Sequence, residues 1–292
     1  MIGSLGRTIA VGAYSGRFAT GSYNTFVGYS AGYGGTTSAP FSSGTQNTAM
    51  GYEALKSFTT GTNNVAIGYA ASDALTTAAL STAVGVSAAG NITTGGGFVA
   101  LGYKAGFAQV DHGNFVAIGY EAMGGTATTN QGNGIAIGYR AQFQATDGSS
   151  GVALGNSALE RIVGQYSTGL GDTAGRYATG SFNTFVGHTA GRGSNSAPYS
   201  SGERNVAVGY SAFANFTTGY RNIAIGDRAG NQISTGHSGV YIGYLAGYGG
   251  NQSGNVAIGA EALYTANGNS NVAIGYETAK STTSNDGVWI GA

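Results

Sequence analysis

A short phrase of alternating side chains recurs along the whole chain: a β-branched residue, a small residue, an aliphatic residue and glycine, as in Val65-Ala66-Ile67-Gly68. With its glycine as marker, the phrase ends at Gly12, Gly28, Gly51, Gly68, Gly85, Gly102, Gly119, Gly138, Gly155, Gly171, Gly187, Gly209, Gly226, Gly243, Gly259, Gly275 and Gly291. These seventeen copies are spaced by 16 or 17 residues, apart from intervals of 23, 19 and 22. Three residues before the marker every copy has Val, Ile or Thr, and one before it every copy has Val, Ile, Leu or Met. Alternation with a period of two predicts a strand in each copy. It also predicts that the two bulky columns point inward, while the residue between them, Ala in twelve copies, faces out. A second glycine lies seven residues before the marker in eleven copies, so two turns, and hence two strands, are expected in each coil.

Repeats of this kind override what length alone suggests about domain number. The chain reads as all-β, a narrow parallel β-roll (a β-solenoid) of about 17 coils of 16–17 residues. Coils stacked at about 4.8 Å make a rod about 80 Å long. One solenoid domain is expected over residues 1–292, with an internal duplication: residues 16–32 return almost unchanged at 175–191, in blocks of about 12–70 and 171–228. Each block runs into an insertion, Ser38 to Gly44 and Ser196 to Gly202, which holds one of the only two prolines, Pro40 and Pro198.

Composition narrows the chemistry. With 41% hydrophobic residues the chain has enough apolar side chains to build a core despite 55 glycines. Glycine does not recur at every third position, so collagen is excluded. The absence of cysteine removes disulfides and thiolate metal sites. Twelve basic residues balance twelve acidic ones, which argues against nucleic acid as a partner. No run is long enough for a membrane helix, and residues 1–16 lack the pattern of a secretion signal, so no membrane insertion is expected. His112, His188 and His237 belong to different coils, and six aspartates are too few for a calcium-binding solenoid. Gly28-Tyr29-Ser30-Ala31-Gly32 spells Gly-x-Ser-x-Gly, but no strand-to-helix elbow surrounds it. The expectation is therefore a non-enzymatic protein with no catalytic residue, metal or cofactor. An ice-binding solenoid needs a flat Thr-x-Thr array, and none is seen.

The phrases Asn64-Val65-Ala66-Ile67-Gly68, Asn205-Val206-Ala207-Val208-Gly209, Asn255-Val256-Ala257-Ile258-Gly259 and Asn271-Val272-Ala273-Ile274-Gly275 resemble the head repeats of trimeric autotransporter adhesins, the YadA-like heads. Similar repeats occur in bacteriophage tail fibres. The resemblance covers essentially the whole chain and implies a left-handed parallel β-roll, assembly as a homotrimer and a role in attachment. The repeat here is a little longer than is usual in the family, so longer outer loops are expected. The family's signal peptide, coiled-coil stalk and membrane anchor are not seen, which suits a phage structural protein released by lysis. The leading expectation is a trimeric β-roll fibre or decoration module on a bacteriophage virion surface, in contact with other virion proteins and with a host cell-surface glycan or protein. The alternative is the head of a bacterial trimeric autotransporter adhesin on an extracellular bacterial surface.

Candidate contact residues follow from the pattern. If the middle column faces out, its methyl groups allow other copies to approach closely, so Ala66, Ala117 and Ala257 are trimer-interface candidates. The aromatic breaks in that column, Phe26, Phe185, Tyr241 and Trp289, join them. Receptor contact is assigned to the insertions, through Pro40, Phe41, Pro198 and Tyr199, because loops on a rigid scaffold carry recognition. Nine copies have Tyr directly after the marker, which predicts a stacked ladder, either structural or a sugar-binding strip. Lys104, Glu121 and Arg140 predict a ladder of ion pairs on consecutive coils.

Overall fold

The structure, a computed structural model, describes residues 7–35, 41–111, 113–125, 133–145 and 150–291. It is all-β, a parallel β-solenoid, and no helix occurs among the described residues. The chain forms two compact units, Met1–Gly148 and Ser149–Ala292. The first carries β1 (Ile9–Val11), β2 (Thr25–Val27), β3 (Thr48–Met50), β4 (Val65–Ile67), β5 (Thr82–Val84), β6 (Val99–Leu101), β7 (Val116–Ile118) and β8 (Ile135–Ile137). The second carries β9 (Val152–Leu154), β10 (Thr168–Leu170), β11 (Thr184–Val186), β12 (Val206–Val208), β13 (Ile223–Ile225), β14 (Val240–Ile242), β15 (Val256–Ile258), β16 (Val272–Ile274) and β17 (Val288–Ile290). Within each unit successive strands pair in parallel and in register, so that Ala49 lies opposite Ala66 and Ala66 opposite Ala83.

Each coil has one strand, not the expected two. Beyond the marker, residues such as Ala70 (φ 49°) and Ser72 (φ 47°) adopt the left-handed region and break the extended path. The opposite flank is held by single backbone rungs, Thr59 N–H to the Thr76 carbonyl and Thr76 N–H to that of Thr93, both 2.8 Å. Both glycine columns instead secure close stacking. Gly68 has φ +131°, and a Cβ there would lie 2.5 Å from the Gly85 carbonyl oxygen. Gly44, in the second column, has its Cβ position filled by the carbonyl oxygen of Gly61.

The faces of the strand are the reverse of the sequence-based expectation. The middle residue is inside: Ala66, Ala117 and Ala257 are 0% exposed, Phe26 and Phe185 are as deeply buried, and Tyr241 is nearly so. The flanking Val, Ile, Leu, Met and Thr residues are half-buried or exposed in every strand. The reason is space. A coil of about 17 residues has an interior so thin that two β-branched columns cannot both enter it. The interior is taken by the strand's own Ala, by a second buried Ala three residues past the marker (Ala54, Ala71, Ala88), and by larger fillers such as Leu55, Phe58, Leu75 and Ile92.

Beside this core runs a column of buried asparagines four residues before the marker. Asn24 Oδ1 accepts the backbone N–H of Asn47 (2.9 Å), Asn47 Oδ1 that of Asn64 (3.0 Å), and Asn64 Oδ1 that of Ser81 (3.2 Å). Each Nδ2 donates to a turn carbonyl, as from Asn47 to Gly61 (2.9 Å). Asn183, Asn205 and Asn222 repeat the ladder in the second unit. Backbone groups that a thin coil leaves unpaired are satisfied in this way. In the next two coils after Ser81 the column carries Phe98 and Phe115, stacked at 5.1 Å.

Candidate functional site

The two insertions are anchored from within. Ser42 and Ser200, both buried, donate to the carbonyls of Phe58 and Phe216 at 2.5 Å. Their Oγ atoms accept the N–H groups of Gly35 (2.8 Å) and Ser194 (2.7 Å). Excising either insertion through its last glycine therefore removes a core rung as well as a loop, so such a deletion is not confined to the surface. Outside these pins the side chains differ. Phe41 is exposed and packs on Phe18 (5.5 Å), which meets Tyr33 (5.0 Å). Tyr199 is half-buried, stacks on Tyr177 (6.0 Å) and lies under the Arg161 guanidinium (4.8 Å), while Pro198 is exposed. Pro40 lies outside the described residues.

The interface assignment of the middle column is corrected by its burial. Ala66, Ala117, Ala257, Phe26, Phe185 and Tyr241 form the chain's own core. Trp289, in the terminal strand β17, is half-buried. The outward face of the strands consists of aliphatics: Met50, Val84 and Ile135 in the first unit, and Ile225, Ile258 and Ile274 in the second, are all more than a third exposed. Sequence reasoning missed this face because bulk was equated with burial.

The tyrosine ladder is present. Tyr29, Tyr52 and Tyr69 stack at 5.2 Å with interplanar angles of 9° and 5°, and Tyr103, Tyr120 and Tyr139 form a second run at 4.9 and 5.4 Å. Their faces cover one another, so the ladder presents ring edges and hydroxyls, whereas a sugar ring stacks on an open face. The Glu53 carboxylate beside Tyr52 is the largest influence raising that phenol's pKa. Of the expected charge ladder, Glu121 and Arg140 meet at 3.7 Å, while Lys104 Nζ lies over the rings of Tyr103 and Phe107.

The histidines stand on different coils. His188 lies 4.0 Å from Asp172 and stacks on Tyr210, His237 stacks on Tyr220, and His112 lies outside the described residues. Ser30 of the Gly-x-Ser-x-Gly stretch is buried in a turn at φ 53°. No group of three or more His, Asp or Glu residues that could hold a metal occurs among the described residues. No helix long and apolar enough to cross a membrane occurs among the described residues.

A surface that the sequence pattern did not single out lies beside the second insertion. Ser201, Glu203, Arg204, Thr218, Tyr220 and Arg221 line an open cleft of about 390 Å³. Compared with known proteins, the chain matches no family model, no curated protein and no solved structure.

Proposed function

We propose that the chain is a non-enzymatic structural and attachment module that works as a homotrimer. The observation that carries this reading is the outward aliphatic face: along the strands of each unit, two columns of Val, Ile, Leu, Met and Thr stand half-buried or exposed in register. Exposed aliphatic side chains gathered on one face are a mark of an interaction site in soluble proteins, and their repetition along the coils suits another copy of the same periodic chain. The likeness of the Val-Ala-Ile-Gly phrases to YadA-like heads supplies the number three and the role in attachment. It also supports a place on a virion surface, where the module contacts a host cell-surface glycan or protein.

Light scattering on the purified chain tests the assembly, with an expected mass of three times 29.0 kDa. A soluble species of one chain mass at micromolar concentration refutes it. Labelling the chain in its source particle separates a virion module from an adhesin head on a bacterial surface.

A further inference from the structure

The duplication supplies its own control. The rungs that hold the corner before each strand are the same in both blocks: Gln46 N–H to the Ser22 carbonyl (3.2 Å) and Asn63 N–H to that of Thr45 (3.1 Å) in the first, Arg204 N–H to Ser181 (3.1 Å) and Arg221 N–H to Glu203 (2.9 Å) in the second. The buried asparagines beside them, Asn47 and Asn64 against Asn205 and Asn222, are also the same. The outward side chains are not. Thr45, Gln46, Thr62 and Asn63 of the first block are replaced by Glu203, Arg204, Tyr220 and Arg221.

These replacements form one surface with Tyr166 and Phe182, which stand on the rungs where the first block has Arg7 and Tyr23. Tyr166 stacks on Phe182 (5.6 Å), the Arg204 guanidinium lies over Phe182 (5.3 Å), Arg221 lies over Tyr220 (5.8 Å), and Tyr220 stacks on His237 (4.7 Å). Tyr166, Phe182 and Tyr220 are 59%, 48% and 40% exposed. Tyr166, Phe182, Arg204 and Arg221 all sit at φ between 55° and 59°, a region that Asn or Gly enters more easily than large side chains. Asn63 and Gly254 fill that corner in other coils, and Arg7, Tyr23, Gln46 and Leu80 in others again. Large aromatics and arginines are thus held where the backbone does not favour them and where they bury little area. The cleft, which Arg204, Tyr220 and Arg221 line beside Phe182, is within the size range of small-ligand sites. Two guanidiniums oppose one carboxylate, Glu203, which lies 3.6 Å from Arg204. Ser201 and Thr218 add hydroxyls. Guanidiniums pair with carboxylates through parallel hydrogen bonds, and the exposed hydroxyls of Ser201, Thr218 and Tyr220 beside them suit the hydroxyls of a sugar.

We propose that this cleft binds a carboxylate-bearing oligosaccharide, a segment of acidic glycan. The proposal deepens the attachment reading and rests on it only for the biological source of the glycan.

The test uses the full chain and its Arg204→Gln/Arg221→Asn variant, which places the side-chain types of Gln46 and Asn63 on the equivalent rungs and so keeps the fold. Binding of tri-galacturonate and of α2,8-linked trisialic acid is measured by calorimetry, beside methyl-esterified tri-galacturonate, inorganic phosphate and a decathymidylate. The expected result is binding of at least one acidic trisaccharide, at least tenfold weaker in the variant at unchanged melting temperature, with the ester and phosphate failing to compete. No binding of either acidic sugar, or equal binding by the variant, overturns the proposal. Equal binding of the ester makes the surface a neutral-sugar strip, competition by phosphate a bare anion site, and tighter binding of decathymidylate a nucleic-acid surface; each of these also overturns it. Attachment to host cells is scored in parallel: a chain that binds the acidic sugar but no cell keeps the cleft and sinks the attachment reading alone.

Discussion

Gly247 stands face to face with Tyr241: a Cβ on the glycine would fall inside the tyrosine ring. The same pairing joins Gly32 with Phe26 and Gly191 with Phe185. Where the strand's middle residue is Ala, the position six residues later can carry a large side chain instead, as in Ala49 with Leu55, Ala117 with Met123, Ala207 with Phe213 and Ala257 with Leu263, all buried. The two positions share one compartment of the core.

Exchange within that compartment is testable. Tyr241→Ala leaves a cavity and should cost about 3–5 kcal/mol, and Gly247→Leu overfills the site and should cost about 1–3 kcal/mol or more. The double variant Tyr241→Ala/Gly247→Leu copies Ala257 with Leu263 one coil later, so its unfolding midpoint should return close to the parent's. Costs that simply add would show that the compartment is not shared. The Tyr241 hydroxyl has no hydrogen-bond partner, and burial pushes its pKa far up, so Tyr241→Phe should be neutral or stabilising.

The two faces of the strand give opposite phenotypes to the same substitution. Ala66→Asp and Ala257→Asp place an unpaired carboxylate in the core and should unfold the neighbouring coils, because solenoid units depend on adjacent ones. Ile67→Asp and Ile258→Asp place it on the outward face, so the chain should keep its β-sheet circular dichroism while the proposed trimer falls to single chains in light scattering. Loss of structure in both classes would refute the separation of faces.

The coil, its length, its seventeen strands and the duplicated block were legible because each rests on a strict period. Which face points inward was not, since alternation alone is symmetric between the two sides of a strand. The deciding fact is the thinness of the interior, and the sequence records it only indirectly, in the trade between Phe26 and Gly32 or Ala49 and Leu55. The second strand was expected from glycines such as Gly44 and Gly61, whose role is close stacking rather than a turn. The arginine and aromatic surface at Phe182, Arg204 and Arg221 lies in one column, five residues before the marker, but the residue type in that column is not constant. Its signal was the mismatch between the two duplicated blocks, visible only once Gln46 and Asn63 are known to occupy equivalent rungs.

The asparagine ladder should rank among the costliest polar positions to alter. Asn205 Nδ2 donates to the Gly219 carbonyl (2.9 Å), and its Oδ1 accepts the backbone N–H of Asn222 (3.0 Å). Asn205→Ala strands both partners in the interior, and at about 1–3 kcal/mol for each orphaned group the expected loss is about 2–6 kcal/mol. Thr62→Ala, at a half-buried corner outside the ladder, serves as the control. Equal urea midpoints for the two variants would show that the ladder contributes little.

Asp73 gives the fold a predictable response to pH. Burial, as the largest influence, raises its pKa above the ordinary carboxylate value, the Glu53 carboxylate adds to the rise, and Lys56 and the backbone N–H groups at residues 73 and 74 oppose it. A raised value means that the folded chain holds this proton to higher pH than the unfolded chain does. The group therefore favours folding fully below its unfolded pKa, and that contribution is lost as pH rises through the folded value. At neutral pH the ionised carboxylate is a net cost, softened by its partial exposure. Asp73→Asn removes the charge while its amide oxygen can still accept the local N–H bonds. The variant should unfold at higher urea than the parent near neutral pH, with the gap closing as the pH is lowered to about 3, where the parent's carboxyl is protonated as well. A variant less stable than the parent at neutral pH would show that the ionised carboxylate is held by its partners more strongly than burial opposes it.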